Sequence, residues 1–455
     1  MIRVPRDLKP LLDSLSSATA HRDTARRLIL FFATACLATA CLVTGDRTVS
    51  AVLRLLSLIE PLNPSTYHRL FSHRRWCANR FAKLIANFVI DRFSSGDVIR
   101  MVGDETVDGH RGKKVYAKAR HRDAVRSSHS HTVYRYGHKW VVLAVLVELP
   151  GVGRPLALPL LVALYRDQQT NLAEGRRHKT QAQLMCGLLA RLMRWFPERK
   201  FVFAADNAYG THQMCRFAKR HQRQLSLVSK FIADANLYKP PPRRKPGTNG
   251  RPRVKGEALL KPCEVVERRR RGKGLNVRWY GGGWRNVEVF TATGHWFKSG
   301  KGLVEVRWVM VRDRDGTHRD EYFFSTHISM SPTEIIEMYG GRWNIETTFQ
   351  ELREHLGLES TRGWHRNTVL RMAPSLFLMY TIVVVFYDTM PRSGSHRRTK
   401  MWLGKSTITF SDMITSVRHY LWHQWVFEQV PNSGAVRKLP RPIKRLINYG
   451  LTLAA

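Results

Sequence analysis

Residues 97–107 read DVIRMVGDETV, and the chain changes character there. Before this stretch, apolar residues recur at helical spacing. Within it, β-branched and aliphatic residues run up to a Gly-Asp step, as in a strand bounded by a turn signal. Two more strand-like runs follow, HKWVVLAVLVEL (138–149) and RPLALPLLVALY (154–165). An amphipathic helix is expected over about Thr180–Trp195. KFVFAADNAYG (200–210) then reads as strand, THQMCRFAKRH (211–221) as helix and QLSLVSK (224–230) as strand. Three adjacent strands followed by helix–strand–helix–strand imply a mixed α/β sheet.

Working outward, residues 1–96 read as a helical domain, with Thr48 and Ser65 as caps on either side of a break at PLNPS. Its second half carries His68, Arg69, His73, Arg74, Arg75 and Arg80. A helix-turn-helix-like DNA reader and an ordinary bundle with a basic exterior both fit that pattern. Downstream, 97–237 forms the first part of the core, and YKPPPRRKPGTNGRPRVKG (238–256) is a Pro/Gly/basic linker. Residues 257–326 alternate with period two and read as a β-rich insertion. Helices resume over 327–390, with Ser331 as cap, Pro332 in the first turn and Gly357 at a helix end. A basic segment, 391–455, closes the chain.

With 455 residues, 43% of them hydrophobic, the chain can bury a substantial core. Its 75 Lys and Arg against 35 Asp and Glu leave a formal charge of +40. Such an excess repels itself unless a polyanion neutralises it, so nucleic acid is the expected partner. Six scattered cysteines support neither a disulfide framework nor a zinc site, and fit a reducing cytoplasm. The apolar runs Leu28–Val43 and Met372–Tyr387 fall short of the roughly 20 residues a spanning helix needs, and are expected to be buried helices. No membrane partner is expected.

Two strands close on an aspartate, Asp104 and Asp206. A third carboxylate, Glu346, lies in YGGRWNIETTFQELREH (339–355). There Tyr339, Arg342, Glu346 and Arg353 have offsets of zero, three, seven and fourteen. At 100° per residue those offsets fall within one narrow helical face. A solvated face with paired charges would look the same. Three carboxylates could instead hold two hard cations, Mg²⁺ or Mn²⁺, about 4 Å apart for in-line displacement at phosphorus. On that reading Arg342 and Arg353 grip phosphates and Tyr339 stacks or hydrogen-bonds beside the reacting strand. Glu105 is a rival to Asp104, but strand alternation should turn it to the opposite face.

The spacing Tyr339, Arg342, Glu346, with Arg353 at a position usually held by Lys, resembles the signature helix of bacterial insertion-sequence DDE transposases. The blocks around Asp104 and Asp206 look like that family's first two catalytic segments. DRTVSAVLRLLSLIEPLNPSTYHRLFSHRRW (46–76) is similar to its N-terminal region. The resemblance implies an RNase H-like core with a β-rich insertion, and catalytic, metal-binding roles for Asp104, Asp206 and Glu346. It further implies binding of terminal inverted repeats and target DNA, metal-dependent strand cleavage and transfer, a homodimer on DNA, and a place on the bacterial nucleoid. Arg353 keeps the charge of Lys but offers a planar fork. Trp296 could stack on a flipped base, as an aromatic does in some relatives, or anchor the β-rich segment. The segment Lys118–Lys139, dense in basic residues and Tyr, reads as a phosphate-contacting loop; its histidines lack the spacing of a metal site. ERRRRGK (267–273) fits a backbone contact and a solvated turn equally. Two alternatives stay open: a catalytically inactive DNA-binding remnant and an RNase H-like nuclease.

Overall fold

The computed structural model describes residues 63–94, 96–123, 127, 130–243, 250–361, 363–390 and 407–422, with the single positions 50, 53, 440, 442 and 443. The expected helix Leu28–Val43, the Thr48 cap and most of the basic C-terminal segment lie outside them.

Helices α1 (Pro64–Ser72) and α2 (Ala78–Phe93) precede the sheet. Asn63, not Ser65, caps α1: its side chain accepts the Ser65 N–H, and Pro64 occupies the first helical position, where no donor is needed. Leu70, Phe71, Phe81, Ile85 and Val89 are buried, whereas His68, Arg69, His73, Arg74, Arg75 and Arg80 are all exposed.

The chain then enters a mixed sheet that holds eleven strands among the described residues. Strand β1 (Val98–Gly109) is followed by β2 (Ala119–Arg122), β3 (Tyr134–Val147) and β4 (Leu156–Tyr165). Short β2 lies inside the basic loop, where no strand is expected from the sequence. Helix α3 (Gln168–Ala173) leads to α4 (Gln181–Trp195), whose start is fixed by a capping box between Thr180 and Gln183. Strand β5 (Lys200–Ala205), α5 (His212–Arg220) and β6 (Leu225–Lys230) complete the first part. β3 pairs antiparallel with β1 and β4, while β1, β5 and β6 run parallel.

Beyond β7 (Leu237–Tyr238) and α6 (Pro262–Arg268) come β8 (Lys273–Arg278), β9 (Trp284–Lys298), β10 (Gly302–Asp313) and β11 (Glu321–Ser325). The β-rich insertion is not set apart from the core. β11 pairs with β6, so β11, β10, β9 and β7 extend the same sheet.

The expected single signature helix is two, α7 (Pro332–Gly341) and α8 (Asn344–Leu356). Across Arg342 and Trp343 the amides bond three residues back, to Tyr339 and Gly340, which tightens the turn and shifts the helical face. Ser331 caps α7 through a capping box with Glu334. Gly357 ends α8 at φ 69°, a left-handed conformation suited to glycine. α9 (Arg366–Thr389) packs against β4, α1, α2 and α8, and α10 (Phe410–Trp422) packs on α9. α9 is long and apolar enough to cross a membrane, yet nearly every side chain from Ser375 to Tyr387 is buried in the protein. It is a core helix, as Met372–Tyr387 is expected to be.

Candidate active site

The sheet register brings the two aspartates together. β1 and β5 are parallel with Gly103 opposite Ala205, so the next residues, Asp104 and Asp206, sit side by side at the same edge. β1 does not close on Asp104 as expected but runs on to Gly109; what ends at Gly103 is its parallel pairing with β5, and open α/β sheets place ligands at the carboxyl ends of parallel strands. The neighbouring residues are small for a reason: a Cβ on Gly103 would run into Met185 of α4 and Phe203 of β5. Asp206 closes its own turn by accepting the Ala208 N–H at 3.0 Å, and Ser229 donates to its backbone carbonyl at 2.8 Å.

Helix α8 supplies the third acid. Glu346 occupies its first turn, and its side chain is 36% exposed. A single guanidinium connects it to β1: Arg342 donates to Asp104 Oδ2 at 2.9 Å and to Glu346 Oε1 at 2.8 Å. Acids 242 positions apart in sequence thus face one cation (346 − 104 = 242). Burial would lower the Arg342 pKa, but Asp104, Tyr339 and Glu346 outweigh it and hold the guanidinium charged.

One cation does not neutralise this cluster. Asp104 is pushed up to about 8, first by burial and then by the negative charges of Asp206 and Glu105, against the opposing pull of Arg342. A carboxyl so placed favours a proton or further positive charge. The donor set, hard oxygens from three separate elements at a rim open to solvent through Glu346, is the kind a small divalent cation takes.

Glu105 is not turned away as far as alternation predicts. Burial raises its pKa, and Asp206 adds to the rise. Its carboxylate is occupied instead: Tyr209 O–H donates to it at 2.6 Å and Lys139 Nζ lies 3.8 Å away. Tyr209 has no role in the sequence reading, although it sits three residues after Asp206, and Lys139, expected to contact phosphate with the basic loop, faces Glu105 instead.

The remaining expected residues divide. Tyr339 is 2% exposed, with its ring 4.5 Å from that of Phe323 and its hydroxyl pushed up to about 12, chiefly by burial. It is a wall of the site and cannot stack on a strand from there. The exposed aromatic at the helix junction is Trp343, at 47%. Arg342 is buried and committed to carboxylates, which removes it as a phosphate grip. Arg353 donates to Thr106 Oγ1 and lies 3.3 Å from Glu359, which also accepts a bidentate pair of bonds from Arg135. Trp296 packs among His212, Phe231 and Phe324, so it anchors β9 on its neighbours rather than offering a face to a base.

Arg353 also lines a cavity of about 1190 Å³ with Arg111, Lys118, Arg135, Tyr136 and His110. Beside it, Arg120 lies over the Tyr134 ring at 3.9 Å, and Tyr134 and Tyr136 are more than half exposed. The basic loop therefore presents both charge and aromatic faces at the surface.

The model of a family described as DDE superfamily endonuclease matches residues 10–286, well over half of the chain. The chain belongs to that family. The matched region contains Asp104 and Asp206 and ends before Glu346, which the fold brings to them. No curated protein matches the chain. Among solved structures, the cryo-EM structure of a piggyBac transposase synaptic complex with hairpin DNA aligns at a TM-score of 0.40 and 10% identity, covering 96% of this chain and 77% of that one. The mixed sheet flanked by helices is consistent with the RNase H-like core expected of a DDE endonuclease.

Proposed function

We propose that the protein is a DNA transposase of the insertion-sequence type, which binds the terminal inverted repeats of its element and cleaves and transfers the DNA strands. The observation that carries this reading is the Arg342 bridge from Asp104 to Glu346 beside Asp206, three acids from three segments gathered on one rim. In this reading Asp104, Asp206 and Glu346 hold Mg²⁺ or Mn²⁺. Such ions would activate water or a 3′-hydroxyl and stabilise the leaving oxygen.

The chain's own residues do the positioning. Arg342 holds Asp104 and Glu346 at a fixed separation, and Tyr209 with Lys139 keeps Glu105 from competing for the cation. Trp343, in place of Tyr339, stacks beside the reacting strand. Arg111 and Lys118 contact phosphates across the basic cavity, Arg353 and Arg135 hold its wall through Glu359, and Tyr134 and Tyr136 add aromatic faces. The helices α1 and α2 present their exposed basic residues to the element ends. Each end needs a site, so the assembly on DNA is a homodimer.

The test is Mg²⁺-dependent cleavage of a plasmid carrying the native element ends, comparing wild type with Glu346→Gln. Cleavage at the element boundary by wild type alone, with the variant still binding the ends, is the expected result, with a loss of at least about 10²-fold. Equal cleavage by both removes Glu346 from the site. Metal-dependent cutting without preference for the ends favours the nuclease reading, and binding without any cutting favours an inactive remnant.

A further inference from the structure

A second group of ligating side chains stands apart from the three acids. Asp108 lies at the far end of β1 with His110 just beyond it, and His138 lies opposite Asp108 on β3. Asp108 is four residues beyond Asp104, about 13 Å along an extended strand. Its side chain is fully buried, that of His138 is 1% exposed and that of His110 is 6% exposed. Ligand atoms of the three lie within 4.8 Å of one another.

The hydrogen bonds fix how these groups face each other. Asp108 Oδ1 accepts the His138 backbone N–H at 3.0 Å, and Oδ2 accepts Trp140 Nε1–H at 3.0 Å. His138 Nε2 lies 2.8 Å from the Tyr116 carbonyl, which only accepts, so Nε2 carries the proton. In the neutral ring Nδ1 is then a bare lone pair. That atom is buried without a hydrogen-bond partner, and it faces Asp108 Oδ1 at 3.6 Å. A protonated Nδ1 would be expected to close on the carboxylate, and 3.6 Å is too long for that bond. His110 Nε2 stands 3.3 Å from Asp108 Oδ2. A lone pair and a carboxylate oxygen left facing each other in a buried site repel unless a cation sits between them.

We propose that Asp108, His110 and His138 form a binding site for one zinc-class divalent cation. A tetrahedral zinc shell, with bonds of about 2.0–2.2 Å, sets its ligand atoms roughly 3.4 Å apart. The observed 3.3 Å runs to Oδ2 and the 3.6 Å to Oδ1 of the same carboxylate, and one ligand atom from each residue lies within 4.8 Å of the other two, so a small closure around an ion would complete that spacing. Two imidazole nitrogens and one carboxylate select a borderline cation over Mg²⁺, which distinguishes this site from the all-oxygen cluster at Asp104. The outer contacts are those that orient metal ligands: Trp140 and the His138 amide on the carboxylate, and the Tyr116 carbonyl on the imidazole. His110 also lines the basic cavity, which gives the ion a way in and leaves its fourth position to water. The ion would tie β1, β3 and the Tyr116 turn together, bracing the wall that carries Arg111 and Lys118.

Zinc content of the full-length protein, measured by mass spectrometry after exhaustive dialysis against metal-free buffer, tests the site. One zinc per chain is expected. Co²⁺ supplied in its place should give the visible ligand-field bands of a low-coordinate nitrogen–oxygen site. His138→Gln and His110→Gln should each lower affinity by about 10–100-fold or more. Asp104→Asn should keep the full zinc equivalent. Should His138→Gln fail to fold by circular dichroism, His110→Gln, whose side chain borders the cavity, decides the matter. A wild-type protein that holds no zinc and gives no Co²⁺ bands overturns the proposal. So does a folded His110→Gln that keeps its full equivalent, or an Asp104→Asn that loses it.

Discussion

Asp104 shows how one residue can carry both a structural cost and a chemical purpose. Its ordinary pKa of 3.8 is raised to about 8 by burial and by Asp206 and Glu105. The sign follows from linkage: the folded state binds a proton that the unfolded state has released, so stability present below about pH 4 is lost as pH rises through about 8. The metal-free protein should therefore lose stability steadily across that window, on the order of a few kcal/mol. Asp104→Asn should flatten the profile and melt higher than wild type at about pH 8. Mg²⁺ should do the same for wild type, since proton and metal compete for one carboxylate. Melting curves of both proteins at several pH values, with and without Mg²⁺, check this. Parallel slopes for the two would mean that Asp104 ionises normally and the cluster is more open than the structure has it.

At the scale of elements, Trp296 separates two roles that sequence left open. Its contacts with His212 of α5, Phe231 after β6 and Phe324 of β11 make it a tie between the extended sheet and the core. Trp296→Ala should cost about 3 kcal/mol in free protein, near the lower end for a large-to-small core change because the side chain is only partly buried. Chemical denaturation without DNA measures it. Unchanged stability with weakened DNA binding would restore the stacking role. The strands around Asp104 and Asp206, the helix over Thr180–Trp195, the cap Ser331 and the end at Gly357 were legible because periodicity and capping are local signals. The stripe from Tyr339 to Arg353 was legible as a shared face, but not for what it would meet. A helical projection gives an angle, and only the packing of α7 against β11 and β8 turns Tyr339 inward. The step at Arg342 and Trp343 then rotates α8 so that Glu346 meets the guanidinium. Likewise Asp108, His110 and His138 look unrelated along the chain, because strand pairing across 30 residues brings His138 to Asp108.

For the whole molecule, the question is where a charge of +40 goes. Ion pairs cannot absorb any of it, because the excess is what remains once every acid is matched by a base. Many of the pairs, such as Lys239 with Glu257 and Arg312 with Asp320, lie in solvent and contribute little. Among the described residues, part of it is grouped on α1 and α2, on the loop between β1 and β3 and in the basic run around Arg268–Lys273. If phosphates take it up, binding must release condensed counterions, and affinity must fall linearly on a log–log salt plot. With about 6–10 phosphate contacts, the loss between roughly 50 and 200 mM salt should be about 10³–10⁵-fold. A fragment carrying the element end and an unrelated duplex of equal length should show similarly steep slopes. The preference for the end fragment should persist across the range, because base contacts specify while phosphate contacts position. Replacing Arg111 and Lys118 together should flatten the slope by about two contacts for both duplexes and leave that preference intact. A shallow slope for wild type would show that the excess charge serves something other than DNA, whereas a slope that is steep only for the end fragment would move the basic cavity from positioning to recognition.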